Sequence, residues 1–313
     1  MKFALPGHAR PHLQGRLPTD ATVSWYGGAA EAVEAVDGAE VAWLDIFTAP
    51  GVGAVIEAAR DVRWITTVLA GVNGWPLDSI RERGIFLTNG AGVNAIPVAE
   101  FAVMGVLSLA KGLHQLVHFQ DRREWPRQAP GVTELYESRA LILGYGHIGQ
   151  EIGKRLEGFG VKVTGVRRTP SDDPKVIGPG DWRARLGEFD WVVLAAAATE
   201  ETAHMIGRTE LDALKPSAAI VNIARGGLID QAALIEAAET GRIAGAFLDV
   251  TDPEPPPPDD PIWSTRNITM TCHCSGRSQT RMSERASALF LDNLDRYRNA
   301  RPLRNLVNLE LGY

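Results

Sequence analysis

Cysteine is almost missing from this chain: two occur among 313 residues, Cys272 and Cys274, one position apart. They sit too close for an ordinary structural disulfide, which excludes a disulfide-built scaffold and points to a reducing compartment. Long apolar runs are missing too, none approaching the roughly 20 residues of a membrane helix. The opening MKFALPGHAR carries too short an apolar stretch for a secretory leader and reads as a first strand. These absences predict a soluble, cytoplasmic protein with no membrane partner. Excess positive charge is likewise lacking: the net charge is −6 and the pI about 5.7, so nucleic acid gains no general attraction. Arginines pair only briefly, at Arg122-Arg123 and Arg167-Arg168. There is no solenoid repeat, and the one low-complexity run, prolines 255–258, must form an irregular loop.

The composition that is present, 45% apolar and 22% charged, is that of a folded protein, and the length allows two domains with cores of their own. Short strand-like runs at 2–5, 22–25, 41–44, 64–68 and 85–88 alternate with helix-like segments at 29–36 and 50–60. Such alternation predicts a mostly parallel sheet covered by helices on both faces. From Pro97 to about Phe119 runs one long segment, apolar nearly all round, expected as a helix buried between the two units. A second series of strands follows at 139–143, 161–166, 191–195, 218–223, 244–250 and 268–271. The closing segment 278–298 is helical in pattern and suited to cross back onto the first unit. One domain is thus expected at 98–282, and the other from both chain ends, 1–97 with 283–313.

The turn GYGHIG places Gly144, Gly146 and Gly149 in G-x-G-x-x-G spacing, between the strand pattern RALILG and the helical pattern QEIGKRLEGFG. Glycines there let the backbone turn tightly and approach a pyrophosphate, while the helix start offers N–H groups to the charge. The residues of this cradle are Gly144, Gly146, His147, Ile148 and Gly149. The following strand, VKVTGV, would end on an acid if it met a free ribose 2′-hydroxyl. It ends instead on Arg167, Arg168 and Thr169, groups suited to a 2′-phosphate, although Arg168 also reads as a solvated surface charge. The predicted coenzyme is NADP(H) by preference, with NAD(H) possible.

Arg225 in NIARGG, Glu254 in DVTDPEP and His273 in TCHCSG each lie just after an apolar strand-like run. Strand ends in a parallel α/β sheet converge on one ligand crevice. A cation, a carboxylate and an imidazole delivered there can bind an acid, tune a histidine and move a proton, which suits reduction of a 2-keto acid beside a nicotinamide. The other histidines, His8, His12, His114, His118, His147 and His204, read as structural, His147 also standing in the glycine turn.

With these motifs go LAGVNGWPLD at 69–78, NGAGVNAIPVAE at 89–100, NIARGGLID at 222–230, LDVTDPEP at 248–255 and NITMTCHCSG at 267–276. In this order and spacing the chain resembles the D-2-hydroxyacid dehydrogenase family along nearly its whole length. The resemblance implies two doubly wound parallel-sheet domains, a Rossmann cofactor domain and a flavodoxin-like substrate domain, with a cleft between them that closes on substrate. It implies that Arg225 grips the substrate carboxylate and polarises its carbonyl, that His273 is the proton donor, and that Glu254 favours its charged form. It further implies that the amides of Ala70, Gly71 and Val72 meet the substrate carboxylate. Ala224 would line the coenzyme, and Asp249 and Ser275 would contact the nicotinamide carboxamide, although Asp249 also reads as a simple strand-end turn residue. A homodimer formed through the cofactor domain and a small 2-keto or 2-hydroxy acid are the implied partners.

The chain departs from that pattern in two places. Cys272 stands where proline usually precedes the histidine, and Ala197 where proline often follows its strand. A metal reading of Cys272-His273-Cys274 fails for want of a second ligand cluster. Trp75 and Trp125 suit either a pocket wall or ordinary packing. Glyoxylate or hydroxypyruvate reduction is favoured by the coenzyme reading. Oxidation of phosphite, formate or a D-hydroxy acid, and a non-catalytic nucleotide sensor, stay open beside it. The phosphoglycerate reading is weakened slightly, because no regulatory domain follows Tyr313. The L-2-hydroxyacid enzymes do not fit, since their glycine fingerprint lies near the N-terminus.

Overall fold

A computed structural model describes residues 1–310 except 47, 73 and 278, and the side chains of 49 and 50 are likewise outside it. Residue 73 of the LAGVNGWPLD motif, residue 278 opening the expected closing helix, and residues 311–313 therefore fall outside the described residues. The chain divides into two units, Met1–Asn94 with Gln279–Tyr313, and Ala95–Ser278.

In the first unit, β1 (Lys2–Pro6), β2 (Thr22–Tyr26), β3 (Val41–Trp43), β4 (Trp64–Thr66) and β5 (Phe86–Thr88) form one sheet in the order β2-β1-β3-β4-β5. Every pairing is parallel, and this 2-1-3-4-5 order is that of flavodoxin-like doubly wound sheets. Helices α1 (Arg10–Leu13), α2 (Ala29–Ala35), α3 (Ala49–Ala58) and α4 (Leu77–Glu82) connect them. Alternate residues point to opposite faces, as the pleat requires. Ala4, Ala42 and Leu44 join Val36, Val55 and Ile56 on one side, while Phe3, Leu5 and Trp43 face the other. That second face is covered partly by the last helix, Met282–Arg298, whose Phe290 ring stacks on Trp64 at 5.3 Å. The closing helix thus packs on the first unit.

The second unit opens with α5 (Ala95–Lys111) and α6 (Leu113–Asp121). Strands β6 (Arg139–Leu143), β7 (Lys162–Val166), β8 (Val176–Ile177), β9 (Trp191–Leu194), β10 (Ala219–Asn222), β11 (Gly245–Leu248) and β12 (Ile268–Met270) follow. They pair in parallel in the order β12-β11-β10-β9-β6-β7-β8, so the order reverses at the β6–β9 pair. Helices α7 (His147–Glu157), α8 (Arg208–Ala213) and α9 (Gln231–Glu239) lie between strands, and Met282–Arg298 is α10. Leu141, Leu143, Val192 and Leu194 face one core; Ala140, Ile142, Trp191 and Val193 face the other, with Val98, Ala102 and Val106 of α5. Both faces are covered, which explains why β6, β9, β10 and β11 read as nearly unbroken apolar runs rather than alternating ones.

Two expectations are corrected. The long apolar segment is not one buried helix: α5 and α6 bend by 68° at Gly112, which adopts the left-handed conformation (φ 62°). No residue of α6 is buried, and Leu113, Leu116 and Val117 are exposed. The two-residue strand β8 also escaped the sequence, being too short to carry a period. Among the described residues no single helix is long and apolar enough to cross a membrane. Only the bent α5–α6 pair passes by length, and α5 is a core helix.

Candidate active site

Because all seven strands of the second unit run the same way, their C-terminal ends share one edge, and the loops leaving it carry the candidate residues. Where the strand order reverses, β6 is followed by Gly144, whose φ of +99° suits glycine, and a Cβ there would lie 2.4 Å from the Ala196 amide nitrogen. The turn is therefore closed against the start of the loop after β9. Gly149 packs as closely, its virtual Cβ 2.2 Å from the Gly144 carbonyl oxygen. Gly146 differs: a Cβ there would meet nothing within 4 Å. It is the N-cap of the eleven-residue α7, and no side chain caps that helix. A helix start without a side-chain cap, beneath open space at a reversal in strand order, fits a pyrophosphate. His147 and Ile148 begin that helix. Arg167, half-buried, follows β7 directly, with exposed Arg168 and Thr169 beyond it.

After β10 the side chain of Asn222 folds the loop upon itself. Its Nδ2 donates to the Arg225 carbonyl (2.8 Å) and its Oδ1 accepts from the Ala224 amide (3.0 Å). Arg225 is exposed, and one guanidinium nitrogen donates to the Ala224 carbonyl at 2.7 Å. The next residue, Gly226, is wedged against the loop after β11, since a Cβ there would lie 1.9 Å from the Thr251 carbonyl oxygen. The loop bearing Arg225 and the loop bearing Glu254 are in this way held backbone to backbone.

Glu254 lies in the proline-rich loop after β11 and reaches His273 in the loop after β12: Oε1 and Nδ1 are 2.5 Å apart. A carboxylate only accepts, so Nδ1 donates and Nε2 is the nitrogen left for another partner. His273 itself has φ of +48°, a conformation that costs most residues about 1–2 kcal/mol. Its surroundings impose that shape. The His273 amide donates to the Asp249 carbonyl at 2.8 Å. The Asp249 carboxylate, 1% exposed, accepts from the Thr271 hydroxyl (2.6 Å) and from the Cys274 and Ser275 amides (3.0 Å each). Three of its four lone-pair directions are thereby engaged within the protein, the loop-organising role of a strand-end turn residue. Burial, aided by the Asp249 charge, pushes the Cys274 thiol up, so it stays protonated near neutral pH.

The structure thus brings Glu254 and His273 into contact and places Arg225, Asp249, Ser275 and the glycine turn on loops of the same sheet edge. Ala70, Gly71 and Val72 belong to the first unit. There the Ala70 carbonyl accepts from Asn89 Nδ2 (2.7 Å) and Val72 is buried. Trp75 is part of the first unit's core, whereas Trp125 is 95% exposed. Sequence reasoning missed Asn222, Thr271 and Arg277, whose partners are mainly backbone groups. The side-chain–backbone propensity of Asn222 at the end of a strand was the one available signal.

A glycine turn at the order reversal and a histidine–carboxylate pair on loops of the same sheet edge fit an NAD(P)-dependent oxidoreductase acting on a CH–OH group, the class to which the comparisons point. The family model "D-isomer specific 2-hydroxyacid dehydrogenase, NAD binding domain" matches residues 103–275. A glyoxylate reductase of Korarchaeum cryptofilum is 31% identical over 278 residues, 86% of this chain and 83% of that protein. A D-3-phosphoglycerate dehydrogenase of Methanocaldococcus jannaschii is 31% identical over 82% of this chain, but only 49% of that protein is matched. The crystal structure of a D-isomer specific 2-hydroxyacid dehydrogenase family protein from Aeromonas salmonicida superposes with a TM-score of 0.85. It is 26% identical and covers 98% of this chain and 99% of that one. The chain belongs to the D-2-hydroxyacid dehydrogenase family.

Proposed function

We propose that this protein reduces a small 2-keto acid of the glyoxylate or hydroxypyruvate type to the D-2-hydroxy acid, with NADPH as the preferred coenzyme. The observation that carries the reading is the 2.5 Å contact between His273 Nδ1 and Glu254, which leaves Nε2 free to carry the second proton of the imidazolium. The nicotinamide, when bound, supplies the hydride. Arg225 holds the substrate carboxylate and draws electron density from the carbonyl, and His273 Nε2 passes a proton to the carbonyl oxygen as the alkoxide develops. Glu254 keeps the ring oriented and steadies the imidazolium before transfer. Ser275 and the remaining lone pair of Asp249 are the proposed contacts to the carboxamide. Arg167, Arg168 and Thr169 are proposed to take the 2′-phosphate, supported by the lack of any acid at that strand end.

Coenzyme consumption with glyoxylate, hydroxypyruvate, pyruvate and phenylpyruvate, measured with NADPH and NADH in parallel, tests the proposal. Turnover favouring NADPH is expected, and Arg167→Asp should move the preference toward NADH. Tight coenzyme binding with no turnover of any acid would sink the reductase reading.

The same reading includes a homodimer. Leu113, Leu116 and Val117 form one exposed apolar stripe on α6, and Val103, Met104, Leu107, Leu113 and Phe159 line an apolar groove beside it. A second copy of this chain is the proposed occupant.

A further inference from the structure

We infer that Arg277 is a positioning residue for the proposed proton donor, an inference that rests on the reading of His273 given above. Arg277 grips the three residues around the imidazole with three donors. Its Nη2 donates to the Cys272 carbonyl (2.7 Å), its Nε to the His273 carbonyl (3.1 Å), and its own amide to the Cys274 carbonyl (2.9 Å). On the other side of the segment, Asp249 takes the His273, Cys274 and Ser275 amides. The two residues are complementary: the buried carboxylate collects N–H groups, and the exposed guanidinium collects carbonyls. Between them they hold His273 at φ +48°, a shape an unsupported residue of this kind rarely keeps.

Asp249 alone leaves the three carbonyls without an anchor. No proline fixes residue 272, which is Cys272, so nothing intrinsic to the chain stiffens the entry to the loop. Arginine suits this task because its planar fork presents two neighbouring donors in fixed relation, which a lysine ammonium on a flexible stem does not. Without the clamp, the carbonyls of Cys272 and His273 are free to rotate toward water, the left-handed turn relaxes, and the imidazole no longer stays against Glu254. Proton transfer depends on sub-ångström placement of that ring, so the loss falls on the chemical step and not on binding.

The test is steady-state kinetics of Arg277→Ala and Arg277→Lys on the full-length protein. Coenzyme affinity is measured by quenching of protein fluorescence, and melting temperature is read alongside. Arg277→Ala is expected to lower kcat about tenfold or more with KM for the keto acid and coenzyme Kd nearly unchanged, and Arg277→Lys to recover only part of the loss. A raised KM or coenzyme Kd at unchanged kcat would make Arg277 a ligand-binding group and overturn the proposal. Unchanged kinetics in Arg277→Ala would overturn it as well. His273→Gln serves as the separate check on the underlying reading. If it keeps full activity, the proton-donor assignment fails; if it is inactive while Arg277→Ala is normal, only the positioning role fails.

Discussion

With its carboxylate 1% exposed and accepting from Thr271, Cys274 and Ser275, Asp249 meets a backbone N–H at each oxygen. Replacing it with asparagine turns one acceptor into an NH₂ that faces a donor, leaving a buried N–H unsatisfied. The expected cost is about 1–3 kcal/mol, and more for alanine, because hydrogen bonds to a charged acceptor exceed neutral ones. Urea denaturation of Asp249→Asn should show a lower midpoint with an unchanged slope. A midpoint equal to that of the parent would mean that the loop holds its shape without this carboxylate. Asp249 was singled out from the sequence, but its partners were not, and residues that act mainly on the backbone were the least legible. Arg225, Glu254 and His273 could be singled out because each is a chemically distinctive side chain in a recognisable string. Asn222 and Arg277 act on carbonyls and amides, and a backbone partner leaves no pattern in the chain.

At the scale of elements, two glycines of the candidate site make opposite predictions. A methyl group on Gly226 would stand 1.9 Å from the Thr251 carbonyl oxygen, and no side-chain rotation relieves a clash with backbone. Gly226→Ala must push the Arg225 loop off the Glu254 loop, with a stability loss of about 1–3 kcal/mol and a fall in kcat. A methyl on Gly146 meets nothing within 4 Å, so Gly146→Ala should cost no more than about 1 kcal/mol as a poorer helix cap. It should nevertheless weaken coenzyme binding, because the methyl enters the space assigned to the pyrophosphate. Thermal melts and coenzyme titrations of the two variants side by side separate the cases. Equal coenzyme affinity in Gly146→Ala and parent would remove the pyrophosphate from that position. The central strands were legible, since burial on both faces makes β6, β9, β10 and β11 nearly unbroken apolar runs. Two features were not. The two-residue β8 has no period to read, and the break between α5 and α6 depends on Gly112 taking φ 62°, where a mid-helix glycine would have looked the same.

For the molecule as a whole, the sequence suggested that the long apolar segment was buried between the two units and was also compatible with a dimer contact, and the structure leaves its second half on the surface. Leu113, Leu116 and Val117 project from one side of α6, with Met104 and Phe159 also exposed in the adjoining groove. An apolar stripe of this kind loses little when it is paired with its own copy about a twofold axis, and within the described residues α6 buries none of its side chains. Light scattering coupled to size exclusion should therefore report twice the 33.9 kDa chain mass at micromolar concentration. Leu113→Glu combined with Val117→Glu sets two like charges four residues apart on that stripe and should return the mass to that of one chain. Helix α6 buries none of its residues, so the change is expected to leave the melting of the monomer's core intact. Arg225, Glu254, His273 and the glycine turn all lie in the second unit of a single chain, so the monomeric variant should still turn over. A wild-type chain that elutes as a monomer would remove the dimer. A double variant that stays dimeric would move the interface off α6. A monomer that has lost all activity would show that the partner chain is needed for the site, and the roles assigned to these residues would then have to be rebuilt across two subunits.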